Sequence, residues 1–202
     1  MRALLLCLLV GLLVACATPP PPSPAGDPQA ALRAGLRQGG YLLYLRHAET
    51  AVTPEPAVRD LEDCGWQRNL SQQGRAQAAA LGAMLRQQGV AFAAVESSGF
   101  CRTRQTAELV FGRAPTVSAD LLYHVSQTPA EIAAATARLK ALLGRRPAAG
   151  NVALVGHAPT FRDVTGIELA EAQGAIVKPA GDGMFIIVGR VDVHGVSAGR
   201  GS

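Results

Sequence analysis

Two histidines follow short apolar segments, at positions where their side chains could act together. Mainly apolar residues at 41–45 precede Arg46 and His47, and a similar run at 151–155 precedes His157. Such runs, without polar alternation, are typical of strands buried on both faces of an α/β sheet. Since these sheets bind ligands beyond the carboxyl ends of their strands, neighbouring strands would bring both imidazoles to one crevice. A neutral imidazole is a nucleophile and arginine is a permanent cation, so this group suits transfer of an anionic phosphoryl group.

The rest of the chain must supply the sheet that places these residues. Capping residues and glycine or proline stops predict helices at 28–39, 72–88, 101–111 and 129–143, and strands at 41–45, 90–96, 114–118, 151–155 and 183–193. This alternation predicts an α/β fold, a three-layer α/β/α sandwich with a mostly parallel central sheet. The 202 residues fit one ordinary domain.

The N-terminus has the pattern of an export signal. One cation, Arg2, precedes apolar residues from Ala3 to Val14, which are too few to span a bilayer, since a spanning helix needs about 20 residues. A first core helix or strand is the alternative, but it would run directly into Pro19 to Pro22. We therefore expect residues 1–15 to be a signal peptide.

The end of this segment, Leu13-Val14-Ala15-Cys16, resembles the lipobox of bacterial lipoproteins. That resemblance implies cleavage before Cys16 and lipidation of its thiol, with 16–28 as a proline-rich stalk and 29–202 as the folded domain. Ala17 stands where an aspartate would favour retention in the inner membrane, which points to the periplasmic face of the outer membrane. An ordinary signal peptide with an incidental Cys16 is the alternative.

The charge of the chain is mildly positive. Nineteen lysines and arginines face 15 acidic residues, a formal net charge of +4. Because the arginines form no basic run, we do not expect a nucleic-acid partner. The balance suits a small phosphorylated substrate and equally suits an ordinary solvated surface.

Four ordered segments resemble the histidine phosphatase superfamily, the phosphoglycerate mutase-like proteins. They are Leu45-Arg46-His47-Ala48-Glu49-Thr50, Asn69-Leu70-Ser71-Gln72-Gln73-Gly74-Arg75-Ala76-Gln77-Ala78, Ser97-Ser98-Gly99-Phe100-Cys101-Arg102-Thr103-Arg104-Gln105-Thr106-Ala107 and Val155-Gly156-His157-Ala158. An Arg-His pair alone would carry little weight, whereas four segments in the family's order are specific.

The resemblance implies roles for individual residues. His47 would attack phosphorus and form a phosphohistidine, while Arg46, Arg102 and His157 hold the phosphoryl oxygens. Glu49 would orient the site and Asn69 would stand at its rim, beside Arg68. No metal or other cofactor is required by this chemistry, and His124 and His194 lack metal-ligand spacing.

The sequence offers more than one candidate for the proton donor to the leaving group. Family members that cleave esters usually carry a carboxylic acid after the pocket arginine, and residues 119–125 contain no glutamate. Asp120 is our predicted catalytic acid. His124 is an alternative, and so is a site without an acid, as in superfamily members that act on phosphohistidine.

Cysteine usage agrees with export. Setting aside Cys7 in the signal and Cys16, one pair remains, Cys64 and Cys101, which we expect to form a disulfide in an oxidising compartment. Two free buried thiols are the alternative. The pair also resembles exported branches of the superfamily, where a bridge would tie the long loop to the phosphate pocket. A cysteine phosphatase is excluded, because its Cys-x5-Arg loop is absent: Leu70 and Ala107 lie six residues beyond the two cysteines.

The sequence therefore predicts a metal-independent phosphoric monoester hydrolase of the histidine acid type, with phosphorylated sugars among its candidate substrates. A non-catalytic phosphate-binding envelope lipoprotein and a phosphohistidine phosphatase lacking an acid are the alternatives. A purely structural lipoprotein would require the four segments to coincide by accident.

Overall fold

The structure is a computed structural model that describes residues 27–54, 60–122 and 128–199. The predicted signal peptide, Cys16 and nearly all of the proline-rich stalk lie outside the described residues, as does His124. Within the described ranges, no helix is long and apolar enough to cross a membrane.

Five helices and seven strands make up this part of the chain. The helices are α1 (Pro28–Gln38), α2 (Gln72–Gln87), α3 (Cys101–Phe111), α4 (Pro129–Gly144) and α5 (Ala158–Thr165), and the strands are β1 (Leu42–Arg46), β2 (Phe92–Ser97), β3 (Thr116–Val117), β4 (Asn151–Gly156), β5 (Gly174–Gly181), β6 (Met184–Asp192) and β7 (Gly195–Ala198). The four predicted helices and five predicted strands are all present, with the third strand shortened to two residues. Sequence reasoning missed α5, β5 and β7.

All seven strands form one sheet in the order β3-β2-β4-β1-β5-β6-β7. The half from β3 to β1 is parallel, and β5, β6 and β7 continue it in antiparallel pairing. The predicted α/β fold with a parallel central sheet is confirmed. Since β1 and β4 are adjacent and parallel, their carboxyl ends meet at the same edge.

Two apolar cores flank the sheet, which makes the three predicted layers. In β1, Leu43 and Leu45 pack on one core with α1, α2 and α3, whereas Leu42 and Tyr44 pack on the other with α4 and α5. Successive side chains of a strand point to opposite faces, so a strand buried on both faces has no polar alternation. This explains the unbroken apolar run before the first histidine.

Capping residues fix where two of the helices begin. The Ser71 hydroxyl accepts a hydrogen bond from the Gly74 amide at the start of α2. Thr128 and Glu131 form a capping box at the start of α4, with Pro129 in its first turn. Such caps satisfy amides that have no partner within the helix.

Candidate active site

The carboxyl ends of β1 and β4 bring the two histidines together. Arg46 pairs with Gly156 in the strand register, and the His47 amide donates a hydrogen bond to the Gly156 carbonyl at 3.1 Å. The imidazole rings of His47 and His157 lie 5.5 Å apart between centroids, at an angle of 65°. The predicted convergence of both rings on one crevice is therefore observed.

The contacts of His47 leave it with the lone pair that a nucleophile needs. Its Nδ1 lies 2.9 Å from the Ala48 carbonyl oxygen, which only accepts hydrogen bonds, so Nδ1 carries the proton. In the neutral ring, Nε2 then holds the free lone pair. Burial is the main cause that lowers the pKa of His47 to about 3. The charges of Arg102, Arg46 and Arg68 act in the same direction, and the hydrogen bond to the Ala48 carbonyl opposes them. The imidazole is consequently neutral near pH 7.

His157 is held by a pair of buried hydroxyls. Its Nε2 lies 2.8 Å from Ser98 Oγ, which lies 2.8 Å from Thr103 Oγ1. Thr103 directs its only hydroxyl proton to the Phe100 and Ser98 carbonyls, at 2.7 and 2.9 Å. The Ser98 hydroxyl therefore donates a hydrogen bond to Thr103 Oγ1 and accepts one from the protonated Nε2 of His157. Burial, followed by the charges of His47 and the arginines, holds the pKa of His157 well below its usual value.

Arg102 supplies a buried cation beside both rings. It lies in the first turn of α3, is only 1% exposed, and places its guanidinium 4.3 Å from the centre of the Phe100 ring. The Phe100 ring in turn contacts His157 edge-on, with centroids 5.0 Å apart. A fixed guanidinium and the amino end of a helix both favour a bound anion.

Arg46 is anchored from one side. Its amide donates to the Gln173 carbonyl and its Nη1 to the Leu169 carbonyl, at 3.1 and 2.8 Å. Its Nε is buried and has no hydrogen-bond partner among the described residues. A buried donor of this kind is costly unless a ligand takes it. Arg46 therefore has the placement and the donor for the predicted role of holding a phosphoryl group.

The side chains of Glu49 and Asn69 form hydrogen bonds with other residues of the protein. Glu49 Oε1 accepts a hydrogen bond from Ser71 Oγ at 2.7 Å, which links the residues after His47 to the start of α2. Asn69 Nδ2 donates to the Cys64 carbonyl at 2.7 Å. Both contacts fix loops around the histidines, and direct contact of either side chain with substrate stays a prediction.

Asp120 lies in a short 3-10 turn, Ala119–Leu121, and pairs with Arg138 of α4 at 3.7 Å. Among the described residues, neither histidine has a hydrogen bond or ion pair with it. Its role as proton donor stays a prediction, and the structure does not add it to the group formed by His47, His157 and the arginines.

The predicted disulfide between Cys64 and Cys101 is present. It joins the 3-10 turn Cys64–Trp66 to the first residue of α3, directly before Arg102. The Cys101 amide also donates to Gln67 Oε1 at 2.8 Å, and Arg104 Nη2 lies 3.2 Å from the Cys101 sulfur. The bridge therefore braces the loop that leads to Arg68.

Several residues that surround the two histidines were not given a role in the site from the sequence. Arg68, named only as a rim residue, lowers the pKa of both histidines by its charge. Ser98 and Thr103 lie within a quoted segment, so the motif pointed to them without revealing their contacts. Glu171 lies 3.7 Å from Arg46 Nη2 in a segment without any motif.

Comparison with known proteins finds a family match for part of the chain and solved structures with a similar fold. The model of the histidine phosphatase superfamily (branch 1) matches residues 42–123. No curated protein matches the chain in sequence.

Among solved structures, the protein histidine phosphatase SixA complexed with tungstate is similar, with a TM-score of 0.56, 19% identity, and coverage of 76% of this chain and 97% of that one. An alpha-ribazole phosphatase from Shigella flexneri has a TM-score of 0.52 at 15% identity, covering 73% and 94%. A phosphoserine phosphatase from Entamoeba histolytica, in complex with phosphoserine, has a TM-score of 0.53 at 12% identity, covering 76% and 97%. At these identities the likeness establishes the fold.

Proposed function

We propose that this chain belongs to the histidine phosphatase superfamily, whose model matches residues 42–123, and that it hydrolyses a phosphomonoester through a phosphohistidine on His47. The observation that carries the proposal is the state of His47. Its ring is buried and neutral, its Nδ1 proton is held by a backbone carbonyl, and its Nε2 keeps a lone pair beside three arginines. A nucleophile and the cations that stabilise an anionic transition state are thus in place before substrate binds.

The reaction divides into two steps. His47 Nε2 attacks phosphorus, the bond from phosphorus to the leaving oxygen breaks, and that oxygen takes a proton from a donor for which Asp120 and His124 are the candidates. Water then attacks the phosphohistidine and returns a proton to that donor, the phosphorus–nitrogen bond breaks with its electron pair returning to Nε2, and inorganic phosphate leaves. Arg46, Arg102 and Arg68 offset the charge on the phosphoryl oxygens in both steps.

Turnover of para-nitrophenyl phosphate in the presence of EDTA tests this proposal. We expect the full chain to hydrolyse this substrate and to form an acid-labile phosphoenzyme, which His47→Ala should not form. The turnover rate of His47→Ala should fall at least about a thousandfold, since a nucleophile in a covalent mechanism has no substitute. His194→Ala, in an exposed turn, is the matched control and should keep full activity. Activity that survives in His47→Ala, or that EDTA abolishes, would rule the mechanism out.

A phosphohistidine phosphatase is the second candidate, and the position of Asp120 favours it. Asp120, the predicted acid, pairs with Arg138 of α4 at 3.7 Å and has no hydrogen bond or ion pair with either histidine among the described residues. An imidazole is a better leaving group than an alkoxide and depends less on such an acid. A kcat/KM on a phosphohistidine peptide that greatly exceeds that on alkyl phosphates, together with unchanged kinetics in Asp120→Asn, would establish this second function.

We further propose that the domain is exported and anchored by lipidated Cys16, at the periplasmic face of the outer membrane. The sequence Leu13-Val14-Ala15-Cys16 supports the anchor, and the Cys64–Cys101 bridge agrees with an oxidising compartment. Labelled fatty acid should enter the wild type and not Cys16→Ser, while Cys7→Ser stays labelled. Label in Cys16→Ser, or recovery of the wild type in the soluble fraction, would contradict the anchor.

A further inference from the structure

A pocket of about 480 Å³ is lined by residues 50–54, which follow His47 closely in the chain, and by Arg68 and Glu171. We call it the leaving-group pocket. It contains two charged side chains, the guanidinium of Arg68 and the carboxylate of Glu171. Neither residue has been given a part in the chemistry so far beyond the electrostatic effect of Arg68.

This pocket adjoins the phosphoryl site. Arg68 lines it and also lowers the pKa of both histidines, so its charge acts in both places. Glu171 also lines the pocket, and its Oε1 lies 3.7 Å from Arg46 Nη2. A phosphoryl group held at His47 by Arg46 and Arg68 would therefore direct the rest of its molecule along Glu171.

The backbone holds Glu171 in place. The next residue, Ala172, adopts a left-handed conformation with φ of 57°, which is unfavourable for a residue other than glycine, and its amide donates to the His47 carbonyl at 3.1 Å. Thr50 Oγ1 donates to Glu171 Oε1 at 3.4 Å. The carboxylate is thus fixed relative to the nucleophile while its side chain remains 27% exposed towards solvent.

From these contacts we propose that Glu171 determines which leaving groups the site accepts. A carboxylate only accepts hydrogen bonds, so it favours leaving groups that carry hydroxyl or ammonium donors and disfavours those that carry a carboxylate. The inference rests on the proposed phosphatase function, because it concerns the part of the substrate that departs. It assigns a substrate class to the site, phosphomonoesters of alcohols with further hydrogen-bond donors.

Two substrates that differ in one group test this selectivity. Glycerol 3-phosphate and 3-phosphoglycerate share a three-carbon skeleton, and the hydroxymethyl group of the first is a carboxylate in the second. We expect wild-type kcat/KM to favour glycerol 3-phosphate, and Glu171→Gln to reduce that ratio about tenfold, the effect of one hydrogen bond to a charged group. The change should fall mainly in KM.

Glu168→Gln is the matched control. Glu168 is an exposed carboxylate 4.0 Å from Arg46 Nη1 that pairs with Arg162 at 3.1 Å and does not line the pocket. This variant should keep the wild-type ratio. Equal changes in both variants would mean that Glu171 acts only through the charge of Arg46, and an unchanged ratio in Glu171→Gln would also overturn the proposal.

Binding separates this inference from the proposed chemistry. Calorimetry on His47→Ala measures the affinity for glycerol 3-phosphate, 3-phosphoglycerate and inorganic phosphate without turnover. If the wild type hydrolyses neither ester nor para-nitrophenyl phosphate, the proposed function fails, yet tighter binding of glycerol 3-phosphate that Glu171→Gln reverses would still support the pocket. Equal affinities for both esters would overturn it.

Discussion

Ser98 controls the proton arrangement of His157. Because the Thr103 hydroxyl donates its hydrogen bond to backbone carbonyls, Ser98 must donate to Thr103 and accept a hydrogen bond from His157 Nε2. Only Nδ1 of the neutral ring can then take up a second proton. The doubly protonated ring would be a cation that binds the anionic phosphoryl oxygens. Burial holds the pKa of His157 well below its usual value, so a bound dianion must supply much of the free energy for that protonation.

Replacement of Ser98 by alanine should therefore change the pH dependence of turnover as well as its rate. Without the acceptor at Nε2, the cationic ring loses one hydrogen bond and the pKa of His157 falls further. We expect kcat to drop roughly tenfold and the alkaline limb of the kcat profile to move to lower pH. The measurement is kcat against pH on para-nitrophenyl phosphate.

Ser97→Ala is the control for that experiment. Ser97 is equally buried, but its hydroxyl donates to the Ser98 carbonyl and not to an imidazole. It should lower stability without moving the limb. A Ser98→Ala profile with the wild-type shape would contradict the proton arrangement described here.

At the scale of elements, the disulfide connects two segments that each carry a pocket arginine. The 3-10 turn Cys64–Trp66 leads to Arg68, and α3 begins at Cys101 with Arg102 next. The bridge spans 37 positions of sequence, and a crosslink of that length lowers the entropy of the unfolded chain. Stability and pocket geometry thus depend on the same bond.

Removal of this bridge should therefore affect both. We expect the variant with Cys64→Ser and Cys101→Ser to lose about 3 kcal/mol of unfolding free energy in urea, and its kcat/KM to fall because Arg68 and Arg102 lose a shared restraint. Dithiothreitol should reproduce both effects in the wild type and add nothing in the variant. A wild-type kcat/KM in the reduced protein would show that the bridge serves stability alone.

The sequence predicted the elements that are determined by local periodicity and caps. It did not predict strand β5 or the contact between Glu171 and Arg46, which depend on tertiary structure. Strand β5 was missed because Lys178 and Pro179 interrupt its apolar run, and Pro179 is tolerated where the register shifts beside β6. The histidines and Arg102 were predicted from motifs. Glu171 lies more than 120 positions from Arg46, in a segment without a motif, so only the folded chain brings the two together.

At the scale of the whole molecule, the chain enters the fold on the edge of the sheet that carries the histidines. Gln29, in the first turn of α1, donates a hydrogen bond to the Val196 carbonyl of β7. Across the sheet, Val196 is level with Leu45, which lies just before His47; the pairs that connect them are Val196–Val191, Val191–Gly174 and Gly174–Leu45. Asn151, at the opposite edge, contacts the end of α1 through the Leu36 carbonyl. The first described residues of the chain therefore lie on the side of the sheet that carries the histidines.

Two buried neutral histidines also make the stability of the molecule depend on pH. The ordinary pKa of histidine is about 6.5 in an unfolded chain, whereas burial lowers the pKa of His47 to about 3 and that of His157 in the same direction. Below about pH 6.5 the unfolded chain therefore binds more protons than the folded one. The stability is fully present above that pH and is lost as the pH falls towards the folded pKa values.

We therefore expect the free energy of unfolding in urea to decline steadily from pH 7 to pH 4.5, with up to about 1.4 kcal/mol per pH unit from each buried histidine. His47→Gln should flatten the decline by one such contribution, because glutamine has no proton to gain on unfolding. His194→Gln should retain the wild-type slope, since His194 lies in an exposed turn. Identical slopes in the wild type and His47→Gln would mean that His47 already carries its proton in the folded protein, and an imidazolium at that position could not attack phosphorus.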